Sequence, residues 1–179
     1  MTKFTSIKAK NSQIWGMDMI IALVIFLFGI ITFYLYTINF SNEAGENLDL
    51  LFYDGNVIAN VLLSEGTPAG WNENNVTSFG LTDQNKINET KLQRFYNIVN
   101  SDYNESKKLM NTKFDFYVYF AGQMNINGSM IDGIGKKNVN RTNIIGLENP
   151  QNLVKIERFT IYSNKPVQLN IYVWNQELK

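Results

Sequence analysis

Between Met19 and Ile38 the chain reads MIIALVIFLFGIITFYLYTI, with no charged residue. As a helix at about 1.5 Å per residue, such a run reaches about 30 Å, the thickness of a bilayer's hydrocarbon core. Trp15 lies near its start, and Tyr34 and Tyr36 near its end, where interfacial aromatics belong. Lys3, Lys8 and Lys10 precede it. The excess of Lys on that side predicts a cytoplasmic N-terminus and an extracytoplasmic chain after Ile38. A cleavable secretory signal has a shorter apolar core, roughly 7–15 residues, followed by a small-x-small site. Thr37-Ile38-Asn39-Phe40-Ser41 offers no such site.

Composition narrows the chemistry. The 179 residues include no His and no Cys. Ser-His-Asp triads, thiolate nucleophiles, disulfides and His or Cys metal sites are excluded. Sixteen basic and sixteen acidic side chains balance to zero, which argues against a general nucleic-acid partner. No cofactor, metal site or enzymatic activity is expected. The charge is uneven: residues 1–12 hold three Lys and no acid, so a small basic head precedes a slightly acidic body.

Two details separate this head from a plain anchor. Asp18 stands immediately before the uncharged run, where an ionisable group is usually functional. Ahead of it the chain reads Lys10-Asn11-Ser12-Gln13-Ile14-Trp15-Gly16-Met17. This order of short Lys-rich leader, Gln, acid and long apolar helix resembles the class III signal sequence of archaeal type IV pilins and archaellins. The family often has Gly before the cut where this chain has Ser12. Asp18 falls one place later than the acid common among type IV pilins. The resemblance covers residues 8–40. It implies cleavage by a prepilin peptidase between Ser12 and Gln13. It also implies that Asp18 sets the polymerisation register by pairing with a neighbour's new α-amino group. The filament core would comprise Ile20, Ile21, Leu23, Val24, Phe26, Leu27, Ile30, Ile31, Phe33 and Tyr34. Implied partners are copies of the chain, the bilayer before assembly and the pilus assembly machinery. The implied location is the cell surface, as an extracellular filament. The domain reading is a cleaved leader at 1–12, an apolar helix at 13–40 and an extracellular globular domain at 41–179. One alternative is a single-pass surface receptor or adhesin that never polymerises. A second is a membrane-anchored enzyme using carboxylates.

Helical periodicity continues beyond the run. Ala44, Leu48, Leu51, Gly55, Ile58 and Leu62 form one stripe. Gly66 followed by Pro68 is a stop signal, so one helix is expected from near Ile14 to near Ser64, with Gly29, Gly45 and Gly55 as weak points. Trp71 and Phe79 are expected to pin the polar loop that follows. Ile87, Lys91, Leu92, Phe95, Ile98 and Val99 mark a short amphipathic helix capped by Asn85 or Asn88, and another is expected around Asp102–Met110. Phe114–Phe120, Lys155–Tyr162 and Val167–Trp174 read as strands, the last two joined by a turn at Ser163-Asn164-Lys165-Pro166. Alternation predicts an antiparallel sheet with one face buried and one wet. The expected fold class is α+β, a long N-terminal helix packed on a C-terminal antiparallel sheet, which agrees with the pilin-like lollipop. Residues 121–153 are expected as surface loops, with a possible short strand at Gln123–Ile126.

Other site signals are weak. Gly133-Ile134-Gly135-Lys136-Lys137 lacks the first Gly and the Ser/Thr of a phosphate loop. An EF-hand reading from Asp83 fails at Ile87 and Arg94. Lys136, Lys137 and Arg141 read as a solvated patch. Asp115 and Glu157 lie on strands and could face one another. Sequons occur at Asn39, Asn75, Asn88, Asn104, Asn127 and Asn140, against about three expected by chance. All but Asn39, which adjoins the apolar run, are candidate glycosylation sites.

Overall fold

The computed structural model describes residues 8–122, 124–148 and 152–175. The chain divides into two compact units, Met1–Gly45 and Glu46–Lys179. Helix α1 (Lys8–Leu62) supplies elements of both. It starts ahead of Ile14, no Pro interrupting the leader, and stops just before Ser64.

Within the second unit, α1 buries Leu51, Ile58, Ala59 and Leu62 completely. The expected stripe therefore begins at Leu51. Leu48 is 46% exposed, because nothing in the domain lies over that turn. The side chains of Asn39 and Ala44 fall outside the described residues. Gly55 is a contact point, not a weak point. A Cβ there would lie 2.8 Å from Ile156 Cγ1 and 3.5 Å from Val173 Cγ2. The missing side chain lets the helix approach the sheet. Thr112 Oγ1 also donates to Asp54 Oδ2 at 2.9 Å, tying α1 to the turn before the central strands.

The last carbonyls of a helix lack intrahelical partners. Here the domain supplies them. Leu81 N–H donates to Leu62 C=O at 2.8 Å. Thr82 donates its N–H to Ser64 C=O and its hydroxyl to the Leu63 and Ser64 carbonyls. The buried ammonium of Lys91 donates to Glu65 C=O and Thr82 C=O, each at 2.9 Å. A cation at a helix C-terminus also complements the helix dipole. Gly66 turns the chain at φ +76. A Cβ on Gly80 would lie 1.9 Å from Gly66 N, so these two backbones approach as only glycine permits. Trp71 and Phe79 pin the following loop as expected. Both are fully buried, in edge contact, and Trp71 Nε1 donates to Gly80 C=O at 2.9 Å.

Next come β1 (Thr82–Asp83), β2 (Lys86–Ile87), α2 (Glu89–Ser101) and α3 (Tyr103–Leu109). Asn88 is the cap of α2, its Oδ1 accepting from Thr90 N and Lys91 N. Asn85 belongs instead to the β1–β2 turn, at φ 63 beside Gln84 at φ 48. Asp102 caps α3 by accepting from Glu105 N.

Strands β3 (Asp115–Phe120), β4 (Met124–Ile126), β5 (Ser129–Ile131), β6 (Ile134–Gly135), β7 (Asn152–Tyr162) and β8 (Lys165–Asn175) follow, with α4 (Ile144–Glu148) between β6 and β7. The main sheet has the order β1-β2-β7-β8-β3-β6, and β4-β5 form a separate ribbon. All pairings are antiparallel except β2 with β7. The β7–β8 turn is shorter than expected. Ser163 and Asn164 alone form it, both at positive φ, while Lys165 and Pro166 already pair with β7.

One sheet face carries Phe116, Val118, Phe120, Leu169, Ile171, Val173 and Ile156, all buried. The other face corrects the expectation of a wet surface. Tyr117, Tyr119, Asn170 and Trp174 are buried there too. Part of the cover comes from the segment after β5. Tyr117 OH donates to Asp132, Gly133 lies against Tyr117, and Arg141 lies over the Tyr119 ring. Residues 121–153 are therefore not simply surface loop: Met124, Ile126, Ile134, Val139 and Ile144 belong to the core. Exposure on this second face returns only toward β7.

Gly55→Ala sets a gain in helix propensity of about 1 kcal/mol against overpacking of about 1–3 kcal/mol. We expect net destabilisation of the second unit by about 1 kcal/mol. Gly29→Ala, where nothing lies within 4 Å, should leave that unit unchanged. Urea unfolding of the full chain in detergent, followed by Trp fluorescence, checks both.

Candidate functional site: the apolar segment and the polar clusters of the second unit

Residues Gly16–Ile38 form a 23-residue helical stretch with mean hydropathy 2.6 and none of it buried within the chain. A helix buried in a soluble core would be covered; this one is bare. Its length and composition suit a bilayer crossing, and an N-terminal signal sequence meets the same description.

Polar groups inside the segment are handled locally. Thr32 Oγ1 donates to the Phe28 and Gly29 carbonyls at 2.7 and 3.0 Å. Thr37 Oγ1 donates to Phe33 C=O at 2.8 Å. Neither hydroxyl therefore needs water, as an apolar medium requires. Asp18 is the only Asp, Glu, Lys or Arg of the segment, and it is exposed. The ten residues from Ile20 to Tyr34 expected in a filament core are all exposed. Lys8, Lys10, Ser12 and Gln13 fall within α1, but their side chains lie outside the described residues, as does Lys3 altogether.

The sequons differ in setting. Asn75, Asn104 and Asn127 are exposed, the last in the β4–β5 turn at φ 51. Asn88 and Asn140 are half-buried and engaged. Asn88 caps α2, and Asn140 Oδ1 accepts from Thr142 N, Thr142 Oγ1 and Asn143 N. Ser106, which completes the Asn104 sequon, is fully buried and donates to Asp102 C=O.

Asp115 and Glu157 do not meet. β8 separates them, Asp115 pairing with Trp174 and Glu157 with Asn170. Asp115 instead holds Lys107 Nζ at 3.0 Å and Lys136 Nζ at 2.9 Å. Tyr103 OH donates to Asp115 Oδ1 at 3.3 Å. Burial alone would raise the Asp115 pKa, but the two ammonium groups outweigh it and hold the carboxyl below its ordinary value. A second cluster joins Tyr117, Asp132 and Arg141, with Arg141 Nε 3.1 Å from Asp132 Oδ1. Burial, then the Asp132 carboxylate, pushes the Tyr117 phenol well above its usual range. Lys136 is thus a half-buried structural partner of Asp115, while Lys137 and Arg141 are exposed as expected, Arg141 with an ion pair to Asp132. Neither cluster has a local sequence signal, because its members come from separate elements.

The glycines of the phosphate-loop look-alike have a packing role. A Cβ on Gly135 would lie 2.4 Å from Phe116 C=O, and one on Gly133 would lie 2.6 Å from Val118 C=O. A groove of about 980 Å³ lies between α2, the β4–β5 turn and the β7–β8 turn. Glu89 is the only acid among its described lining residues, and it already accepts from Ser163 Oγ. Acid–base chemistry with paired carboxylates has no second member there. Among the described residues, no three His, Cys, Asp or Glu side chains gather as a metal site. Comparison of the chain with protein-family models, curated proteins and solved structures returned no match.

The Asp115 cluster gives a pH prediction. A carboxyl held below its unfolded value contributes stability above that value, which is lost as pH falls through the folded pKa. Asp115→Asn should therefore be less stable than the parent at pH 6. The difference should shrink as pH falls below about 4. Denaturant midpoints across pH 2–7 check this.

Proposed function

We propose that this chain is the structural subunit of an archaeal type IV pilus-like extracellular filament. It is held in the membrane as a precursor, loses residues 1–12 to a prepilin peptidase, and polymerises through residues 13–40. The outer domain, 41–179, then decorates the filament. The observation that carries this reading is the bare apolar helix Gly16–Ile38, preceded by a Lys-rich leader, Gln13 and Asp18. Lipid covers such a helix before assembly, and packed copies of the same helix cover it afterwards. An unpaired carboxylate among apolar helices costs several kcal/mol. A neighbour's α-amino group at Gln13 offsets that cost in one axial register and not in others. Glycans on Asn75, Asn104 or Asn127 would lie on the filament exterior.

A non-polymerising single-pass anchor is the second reading, favoured by the fit of a 23-residue helix to one bilayer crossing. It requires neither cleavage nor Asp18. Intact-mass measurement of the native protein separates the two. The filament reading expects a chain beginning at Gln13, plus any glycan mass. A mature chain still beginning at Met1 would sink it.

Asp18→Ala should leave the outer domain's unfolding midpoint unchanged while filament yield falls at least tenfold. Electron microscopy of cells carrying the variant, beside urea unfolding of the purified chain, tests this. Normal filaments at normal yield would reduce Asp18 to a membrane-edge residue.

A further inference from the structure

Strand β7 has one edge on β8 along its whole length. On its other edge, β2 reaches it only at the Lys86–Ile161 pair. Among the described residues, no other backbone group bonds to that edge. From Asn152 to Thr160, over about 30 Å, the edge has no strand partner, and Arg158 Nη1 folds back to donate to Glu157 C=O at 3.0 Å. The outward face along it carries Leu153, Lys155, Glu157 and Phe159 in alternation. Phe159 is 79% exposed, more than any other large hydrophobic described. Lys155 and Glu157 also reach solvent, joined to each other across one side of the strand.

We propose that this edge is a self-complementary interface that pairs two copies of the chain, β7 antiparallel to β7. Antiparallel pairing about a two-fold axis places each residue opposite the one equally far from the centre. About Ile156, Lys155 stands opposite Glu157 of the second copy, and Leu153 opposite its Phe159. The axis repeats both pairs, so every outward side chain from Leu153 to Phe159 has a matched partner. Neighbouring registers lack this. A centre at Lys155 or at Glu157 sets like charges directly opposite, which is destabilising. A centre at Arg158 sets Glu157 against Phe159.

The open edge selects the same centre independently. It runs from the first residue of β7 to the one before the β2 pairing, and its midpoint is Ile156. An isologous contact of this kind closes on itself as a dimer. It lies wholly in the outer domain, so it requires neither cleavage nor filament formation and does not rest on the filament reading.

Charge reversal tests the register. Lys155→Glu leaves two acids at the centre, and Glu157→Lys leaves two bases. Each variant alone should dimerise at least about tenfold more weakly than the parent. Mixed one to one, they should form a heterodimer at parental affinity, because every acid then faces a base. Sedimentation of the full chain in detergent reads both results. Association that neither variant alters would belong to the apolar helix and overturn the proposal. So would a parent chain that is monomeric at all concentrations, its charges then serving to keep the edge unpaired.

Because the chain has no cysteine, single thiols report contacts directly. A mixture of Lys155→Cys and Glu157→Cys chains should give a disulfide-linked dimer on mild oxidation. Either chain alone should give at least fivefold less, since its thiols lie diagonally apart. Equal crosslinking in all three samples, or none in the mixture, would also overturn the proposal.

Discussion

The unit Glu46–Lys179 depends on one close contact between α1 and the sheet. Leu51, Ile58 and Leu62 bury the helix stripe, and Gly55 lets it approach Ile156 and Val173. Removing that stripe would uncover the inner face of the strands, and a sheet with an uncovered apolar face is not stable in water. The capping of α1 follows from the same contact. Once the helix is fixed against the sheet, the carbonyls at and just beyond its end are partly withdrawn from water and are satisfied by Leu81, Thr82 and Lys91. The first turns of the polar loop are built around that requirement.

Burial on both sheet faces leaves the middle of the domain with less solvent-facing surface than an amphipathic sheet would have. Tyr117, Tyr119 and Trp174 lie under cover, and the polar atoms that accompany them are paired. Asp115 keeps its charge between Lys107 and Lys136 because burial of an unpaired carboxylate is costly. Buried side chains are therefore concentrated at β3 and β8, and solvent-facing ones along β7. That gradient leaves β7 as the strand free to meet another surface.

Residues Gly16–Ile38 obey a different solvent rule. Every large apolar side chain there is exposed, and the threonines return their hydroxyls to their own helix. The unit Glu46–Lys179 covers most of its apolar surface internally; this segment does not. Cover for it would come from outside the chain, lipid on the anchor reading and packed copies on the filament reading.

Much of the architecture was legible from local patterns. The uncharged run, the Asn88 cap, the helix after Asp102 and the β7–β8 hairpin each follow from residues close in sequence, where propensity and periodicity act directly. The β4–β5 hairpin also had a local signal in Asn127-Gly128, both at positive φ. Whether a strand face is wet depended on chain arriving from elsewhere. Tyr117 and Tyr119 alternate as solvent-facing residues do, and the segment from Asp132 to Arg141 covers them. Leu48 has the spacing of a core residue and lies beyond the domain's reach. The roles of Gly55, Gly80 and Gly135, the pairing of Asp115, and the open edge of β7 likewise required the tertiary structure. Each is a relation between segments distant in the chain, and periodicity carries no information about which distant segment will be the neighbour.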